Sequence, residues 1–225
     1  MLGKDIVKLV VMKMDELTPF SSADGVVGSR KLLAGGDKLD EIKPVYTYIS
    51  NHLMESGNEV LLAAPMAYLP QESIDSGSIT PKPDDDDSCI GTIQLPIDYL
   101  RLHTLQMVGW QRPVHSILYP EDPRYSEQYN QWTRGTQEKP VVVYKDVLPK
   151  EITRIQYFSV NGNMPHLIKD LRYIPRFSND IDYRSEIAEL IALNCAKKIY
   201  GIYGMNEQVA YMEKEMSSIL GLIRQ

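Results

Sequence analysis

The sequence contains few of the residues from which metal centres and disulfide frameworks are built. Its 225 residues include two cysteines, Cys89 and Cys195, and four scattered histidines. Two thiols so far apart form neither a disulfide framework nor a zinc site, and no histidine has a second ligand at metal-binding spacing. Cys195 lies in an apolar helical pattern, which predicts a buried structural thiol. We therefore expect no metal and no cofactor.

Sequence motifs of active sites and membrane segments are also missing. The chain has no G-x-S-x-G elbow, no G-x-x-x-x-G-K-[ST] phosphate loop and no G-x-G-x-x-G turn. No apolar run approaches the roughly 18 residues that span a bilayer. Lys4, Asp5, Lys8 and Lys13 interrupt the apolar start, where a signal peptide has an uncharged segment. These absences predict a soluble protein that is not secreted, does not bind membranes and is not an enzyme.

The charge is acidic overall and unevenly distributed. The formal net charge is −6. Residues 1–88 contain 8 basic and 15 acidic side chains, whereas residues 89–184 contain 12 and 10, including eight of the ten arginines. The acidic balance argues against a protein that wraps nucleic acid, which needs a strong positive field. The uneven distribution allows head-to-tail contacts between identical subunits, with an acidic surface against a basic one.

Helical patterns lie towards both ends of the chain. In the first half, residues 4–16 form one amphipathic pattern, and a second pattern covers residues 39–53. Within the second pattern, Pro44 is expected at the first helical position and Gly57 at the C-terminal end. Asn58 is then expected to cap a further short helix that ends before Pro65.

The last quarter of the chain predicts two helices. Over residues 181–202, large and small apolar residues form two adjacent lines at a spacing of four, which suits close helix packing: Ile187, Ile191, Cys195 and Ile199 beside Ala188, Ala192 and Ala196. Gly204 breaks the pattern, and Asn206 is expected to begin a last amphipathic helix.

Between the helical patterns the sequence changes to short β-branched and aromatic runs separated by Pro, Gly and Asn. Residues 89–177 predict four to six strands, a hairpin turn at Asn161-Gly162 and one short helix over residues 122–132. The preceding acidic run, Asp84 to Asp87, predicts a solvated loop, with a calcium site as the less favoured alternative. The predicted fold is α+β: a helical bundle from residues 1–88 and 178–225, with residues 89–177 as a β-rich insertion.

The middle region contains both tryptophans of the chain and most of its arginines. Trp and Arg together, on short strands interrupted by Pro and Gly, suit a surface that binds other protein subunits. We therefore take Trp110, Arg112, Trp132 and Arg134 as candidate subunit-interface residues. The alternative is that the tryptophans belong to the core and the arginines are simply solvated.

The order of several short segments resembles one family of phage structural proteins. The segments are LPIDYLRL at residues 95–102, WQRPV at residues 110–114, an aromatic helix, GT at residues 135–136 and KPV at residues 139–141. LLAAP at residues 61–65 and EIAEL at residues 186–190 flank them. Over roughly residues 39–220, the chain resembles the ring, or head-to-tail adaptor, proteins of crAss-like and other short-tailed phages. The acidic run at Asp84 to Asp87 departs from that pattern.

The resemblance implies a non-catalytic virion protein of the neck or tail, assembled in the host cytoplasm. It implies a dodecameric ring beneath the portal that joins the portal to the tail and extends the DNA channel. The expected partners are further copies of the chain, the portal protein and other tail or ring proteins. Double-stranded DNA would pass through the lumen without specific binding.

Two other functions remain open from the residues alone. One is an enzyme of phage or bacterial origin that uses Cys195 or His103. The other is a single-stranded nucleic-acid-binding protein in which tyrosines and arginines on the strands contact bases and phosphates.

Overall fold

The computed structural model describes residues 1–16, 39–74, 79–84, 89–145, 153–158, 160 and 165–223, with residues 15–16 and 39–45 described by their backbone alone. The chain divides into two compact units, which we call the helical unit (Met1–Pro70 and Arg176–Gln225) and the β unit (Gln71–Pro175). The predicted α+β class is confirmed. Two predicted features, the Asn161-Gly162 turn and the acidic run beyond Asp84, lie outside the described residues.

The helical unit contains helices α1 (Gly3–Glu16), α2 (Leu39–Ala63), α4 (Ser185–Ile202) and α5 (Asn206–Ile223). A short 3-10 turn, Met66–Tyr68, follows α2. Helix α4 packs against the other three helices, so it forms the centre of the unit. Both predicted lines of α4 are buried, together with a third set: Leu190, Leu193, Asn194 and Tyr200. Among the described residues, no helix is long and apolar enough to cross a membrane.

Helix α2 is longer than the sequence predicts, because two expected boundary residues lie inside it. The helix begins before Pro44, so that residue does not occupy the first helical position. It continues through Gly57, and Asn58 does not begin a second helix. The predicted end is nevertheless confirmed, since the helix ends at Ala63, before Pro65.

Contacts with Phe177 explain why Gly57 and Asn58 do not end the helix. A Cβ atom on Gly57 would lie 2.5 Å from Cγ of Phe177, so glycine is needed for the ring to pack against the helix backbone. The Oδ1 atom of Asn58 accepts a 2.8 Å hydrogen bond from the Phe177 N–H rather than from a helix amide. Both residues therefore join α2 to the segment that leads into α4.

The two ends of α4 follow from local hydrogen bonds. The helix begins later than residue 181 because the preceding segment bonds to the start of the chain, where the Gly3 N–H donates to the Ile181 carbonyl at 3.1 Å. At the other end Gly204 has a φ of +70°, and the Met205 N–H donates to the Tyr200 carbonyl at 3.0 Å. A left-handed glycine in this position is a common helix stop, so the predicted break is confirmed.

The β unit contains two antiparallel sheets and helix α3 (Pro123–Glu127). The three-stranded sheet has the order β1 (Glu72–Ser73), β7 (Ile168–Pro175) and β4 (Tyr99–Met107). The four-stranded sheet has the order β2 (Lys82–Pro83), β3 (Gly91–Gln94), β6 (Arg154–Tyr157) and β5 (Val142–Lys145). Strands β1 and β2 lie in a stretch that the sequence predicts as loop, and they place the start of this unit before residue 89.

One hydrophobic core connects the two sheets. Strands β4 and β7 bury Tyr99, Leu102, Leu105, Met107, Ile168, Leu171 and Tyr173, while β3, β5 and β6 bury Ile93, Val142, Ile155 and Tyr157. The segment 114–118 bridges both sheets, because Val114 pairs with Leu105 of β4 and Leu118 pairs with Val143 of β5. The chain that follows this segment is therefore anchored on both sheets.

The net charge is divided evenly between the two units, unlike between the sequence segments compared above. The helical unit has 13 basic and 16 acidic residues, and the β unit has 11 and 14, so each has a net charge of −3. The acidic residues Glu72 and Asp84 belong to the β unit, whereas Arg176 and Arg184 belong to the helical unit. A contact between a wholly acidic unit and a wholly basic unit therefore does not follow, and any charge complementarity must be local.

The packing of Gly57 against Phe177 predicts an unusual effect of alanine. In an open helix position, Gly→Ala stabilises by about 0.5–1 kcal/mol. We expect Gly57→Ala to destabilise the protein by about 1–3 kcal/mol, because the added methyl group overpacks the ring contact. Urea denaturation followed by circular dichroism measures this. The matched control is Gly221→Ala in α5, where a Cβ atom meets nothing within 4 Å, and a stabilising Gly57→Ala would contradict the packing.

Candidate functional site

The β unit carries three exposed aromatic side chains, Tyr119, Tyr129 and Trp132. Trp132 is 90% exposed, the highest value among the large hydrophobic residues that the structure describes. Tyr129 and Tyr119 are 56% and 49% exposed. A fully solvated tryptophan leaves a large apolar area in water, and exposed apolar patches of this kind mark binding surfaces.

Helix α3 and the turns after it fix the segment that carries Trp132. The Oδ1 atom of Asp122 caps α3 by accepting from the Arg124 N–H at 2.9 Å, and Pro123 occupies the first turn. The predicted helix over residues 122–132 is thus too long, because regular helix ends at Glu127 and a series of turns follows.

Gln128 is the buried polar residue around which these turns are built. Its Nε2 atom donates to the Arg124 carbonyl at 3.0 Å, and its Oε1 atom accepts from the Gly135 N–H at 2.8 Å. The Thr133 hydroxyl donates to the Glu127 carbonyl at 2.7 Å. The side chain of Gln128 therefore joins the start of the loop at Arg124 to its end at Gly135, and the Trp132 side chain is exposed on the loop between them.

The two exposed tyrosines are anchored on the sheets. The Tyr129 hydroxyl lies 3.2 Å from the Tyr125 hydroxyl and 3.3 Å from Oε1 of Gln156 in β6. The Tyr119 ring stacks on Tyr144 of β5, with ring centroids 5.4 Å apart. Each ring thus has one face fixed by the fold and the rest in solvent, which lowers the entropy lost on binding a partner.

The structure connects both candidate arginines to this loop. The Nε atom of Arg112 donates to the Glu138 carbonyl at 2.6 Å, and the adjacent Gln111 N–H donates to the Gln137 carbonyl at 3.0 Å. Arg134 is half-buried, and its N–H donates to the Asn130 carbonyl at 3.0 Å. The segment after Trp110 is therefore hydrogen-bonded to the segment after Arg134.

Trp110 does not belong to the exposed surface. Its side chain is 4% exposed and packs in the core between the two sheets. Its Nε1 atom has no hydrogen-bond acceptor among the described residues. For Trp110 the core alternative holds, so we leave this residue out of the candidate interface.

Cys195 and His103, the two residues of the enzyme alternative, lie in different units. Cys195 is fully buried in α4, and burial raises the pKa of its thiol to about 12, which keeps it protonated. Burial, with smaller contributions from His115 and Arg172, lowers the pKa of His103, whose Nδ1 atom lies 2.9 Å from the Thr104 hydroxyl. Within the described residues, no group of three or more His, Cys, Asp or Glu side chains is placed to hold a metal ion.

Three of the tyrosines on the strands do not present faces for base stacking. Tyr99, Tyr157 and Tyr173 are buried. The Tyr157 hydroxyl lies 2.6 Å from Nδ1 of His166. The Tyr173 hydroxyl lies 3.0 Å from the carboxylate of Glu72 and 3.1 Å from that of Asp98. These side chains serve the core of the β unit.

A second candidate feature is an apolar pocket in the helical unit. It has a volume of about 170 Å³. Helices α2, α4 and α5 and the residue after α2 line it with Val60, Ala63, Ala64, Leu190, Met216 and Leu220. The sequence alone does not reveal this pocket, since the residues that line it have the spacing of an ordinary helix core. The small pair Ala63-Ala64 at the end of α2 is the signal that could have shown it.

A polar cluster forms one edge of the apolar pocket. Asn194 donates from Nδ2 to Oε2 of Glu59 at 2.9 Å, and Lys198 donates to Oε1 of Glu59 at 2.8 Å. Lys198 also lies 3.2 Å from Glu55. The hydrogen bond from Lys198 holds the pKa of Glu59 below its usual range. Of this cluster, Glu59 and Asn194 line the pocket, whereas Glu55 and Lys198 do not.

Comparison with known proteins adds no relative. A scan against protein-family models and a search of curated proteins each find no match.

The central position of Gln128 predicts a local loss of order when it is changed. Gln128→Leu removes the hydrogen bonds that the Gln128 amide makes with the Gly135 N–H and the Arg124 carbonyl, so we expect a loss of about 1–3 kcal/mol in the free energy of unfolding. Hydrogen exchange of the Gly135 amide should become faster. Gln131→Leu, at an exposed position of the same loop, is the control, and equal exchange rates in both variants would contradict the assignment.

The burial of Cys195 predicts a thiol that is inert in the folded protein. In a Cys89→Ser variant, we expect no reaction with a disulfide reagent at pH 8, because the reactive thiolate is scarce and inaccessible. Full reaction should appear on unfolding in guanidinium. The Cys195→Ser variant, which retains the partly exposed Cys89, gives the comparison. Rapid labelling of native Cys195 would contradict this prediction and favour the enzyme alternative.

Proposed function

We propose that the chain is a structural subunit of a head-to-tail connector ring in a tailed phage, located between portal and tail. The observation that carries the proposal is Trp132, a 90% exposed tryptophan on a loop closed by the buried Gln128. Tryptophan anchors on ordered surfaces are typical of protein–protein hot spots. The resemblance of the segments around residues 95–141 to ring proteins gives the kind of assembly.

The energy gained by burying an exposed aromatic side chain suits contacts between many copies. Burying one large aromatic side chain removes about 150–250 Å² from water, which corresponds to about 4–6 kcal/mol at 25 cal/mol per Å². Association costs about 4–15 kcal/mol in lost freedom. Trp132 alone therefore does not hold two subunits together, and further side chains must share the interface.

The charge of the chain suits a channel through which DNA moves. Each copy has a net charge of −6, so a ring of copies repels the duplex rather than binding it. A lumen rich in Lys and Arg would bind the phosphates with strong salt dependence. A collar of acidic subunits guides DNA with little friction and needs no catalytic group.

The oligomeric state tests this proposal. We expect the purified chain to form closed rings, or to bind as a collar on purified portal protein, in light scattering after size exclusion and in negative-stain images. The assembly should persist at about 0.15 M salt, since apolar contacts are insensitive to screening. A chain that stays monomeric at every concentration, with and without portal protein, would contradict the proposed function.

A further inference from the structure

We propose that His103 and His115 form an acid-sensitive clasp, which holds the segment 114–118 on strand β4 and releases it when the two imidazoles are protonated. The clasp lies wholly within the β unit, so it stands apart from the proposed function. The hydrogen bonds between the segment and β4, the distance between the two rings and the charges around them each support it.

Two backbone hydrogen bonds attach the segment to β4. The Leu105 N–H donates to the Val114 carbonyl at 2.9 Å, and the Val114 N–H donates to the Leu105 carbonyl at 2.8 Å. This pairing is an isolated bridge rather than part of a longer ladder. An attachment as short as this one depends on the side chains beside it.

The side chain of His115 reinforces the bridge. Its Nδ1 atom lies 2.9 Å from the His103 carbonyl oxygen, and because a carbonyl oxygen only accepts, Nδ1 of His115 is assigned the hydrogen. The Thr104 hydroxyl lies 2.9 Å from Nδ1 of His103 and 3.4 Å from Nδ1 of His115. Thr104 is buried, so the two rings meet over a buried hydroxyl group.

The two imidazoles are close enough to repel each other once both are charged. Their ring centroids lie 6.5 Å apart, which is less than the Debye length of about 8 Å at physiological ionic strength. In the part of the chain that the structure describes, neither ring forms an ion pair with a carboxylate. Protonation of both rings therefore places two like charges side by side without a direct counter-ion.

The charged groups that act on His103 from the neighbouring strand are already paired with each other. Arg172 and Asp170 of β7 form an ion pair at 3.1 Å. Asp170 favours the charged form of His103, whereas Arg172 opposes it with a larger effect on the pKa. Together with the two neutral imidazoles this pair has a net charge of zero, and with both imidazoles protonated the net charge is +2. The ion pair thus supplies no spare negative charge.

The charged residues that precede each histidine most closely along the chain are basic as well. Arg101 precedes His103 by two residues on β4, and Arg112 precedes His115 by three. The Nε atom of Arg112 donates to the Glu138 carbonyl, a neutral acceptor that leaves the positive charge in place. Neither arginine can therefore balance an imidazolium.

The direction of the pH response follows from the pKa of His103. Burial lowers this pKa, with further contributions from His115 and Arg172. In the released form the ring is solvated and has its ordinary pKa of about 6.5. The released form therefore binds protons more readily than the clasped form. Release increases as the pH falls below about 6.5, and it levels off once the clasped ring is protonated as well.

Amide hydrogen exchange measures this release. Leu105 and Val114 donate the two hydrogen bonds of the bridge, so the opening constants of their amides report on the clasp. We expect both constants, corrected for the intrinsic pH dependence of exchange, to rise about 10-fold between pH 7.5 and pH 5. The reference is the Leu95 amide beside the four-stranded sheet, which donates to the Thr153 carbonyl at 2.9 Å and should not respond.

Substitutions distinguish titration from packing. His103→Asn combined with His115→Asn keeps an amide near each Nδ1 position and removes both titrating groups, so the opening constants should no longer change between pH 7.5 and pH 5. His52→Asn in the helical unit is the matched control and should leave the response intact. Arg172→Gln should reduce the response and Asp170→Asn should enlarge it, because these changes raise and lower the pKa of the clasped His103.

Several results would overturn the clasp. One is a flat response in the wild-type chain, and another is a response that persists in the variant with both His103→Asn and His115→Asn. An equal rise at Leu95 would mean that the whole unit opens. Changes of the same sign in Arg172→Gln and Asp170→Asn would assign their effect to packing. The amides report on the clasp whatever the oligomeric state, so the connector function can fail while the clasp stands, and the reverse also holds.

Discussion

Burial of helix α4 on nearly all sides is the constraint on which the helical unit depends. The line of alanines at residues 188, 192 and 196 lets neighbouring helices approach closely, and the isoleucine line beside it fills the space between them. Asn194 is the one polar residue in this buried surface, and it bonds to the Ser56 carbonyl and to Glu59 of α2. The register of α2 on α4 is therefore fixed by hydrogen bonds as well as by shape. The apolar pocket lies beside this polar cluster, so its walls come from a rigid part of the unit.

The β unit carries a solvent-exposed tryptophan, Trp132, on a loop that is held by hydrogen bonds. Leu118 is fixed by pairing with Val143 of β5 and by packing with Val143 and Phe158, and the chain continues from there to Tyr119. The loop is not part of a sheet, and the side-chain amide of Gln128 supplies hydrogen bonds to its backbone at Arg124 and Gly135. A buried polar side chain is costly unless it is fully hydrogen-bonded, and here both ends of the amide have partners. The exposure of Trp132 is consequently a property of the fold and not of a loose segment.

Spacing in the sequence predicted the helices better than their boundaries. The isoleucine and alanine lines of α4 were predicted because helical period and burial agree along the whole helix. Gly57 and Asn58 were wrongly predicted to lie at helix boundaries. The lack of a side chain at Gly57 and the amide of Asn58 instead serve contacts with Phe177, a residue far away in sequence. Strands β1 and β2 are two residues long and have no period to detect. Composition could not separate Trp110 from Trp132 either, because burial depends on the tertiary contacts of each segment.

A ring makes better use of a modest contact than an open chain does. An open chain of n copies has n − 1 contacts, whereas a closed ring has n, and the last contact forms within one assembly at high effective concentration. Contacts of only a few kcal/mol each then give full rings and few intermediates. The same modest contact allows misplaced subunits to dissociate during assembly, which a much larger apolar interface would prevent. Under the proposed ring function, the exposure of Trp132 in a single copy fits contacts that form only when copies are concentrated together.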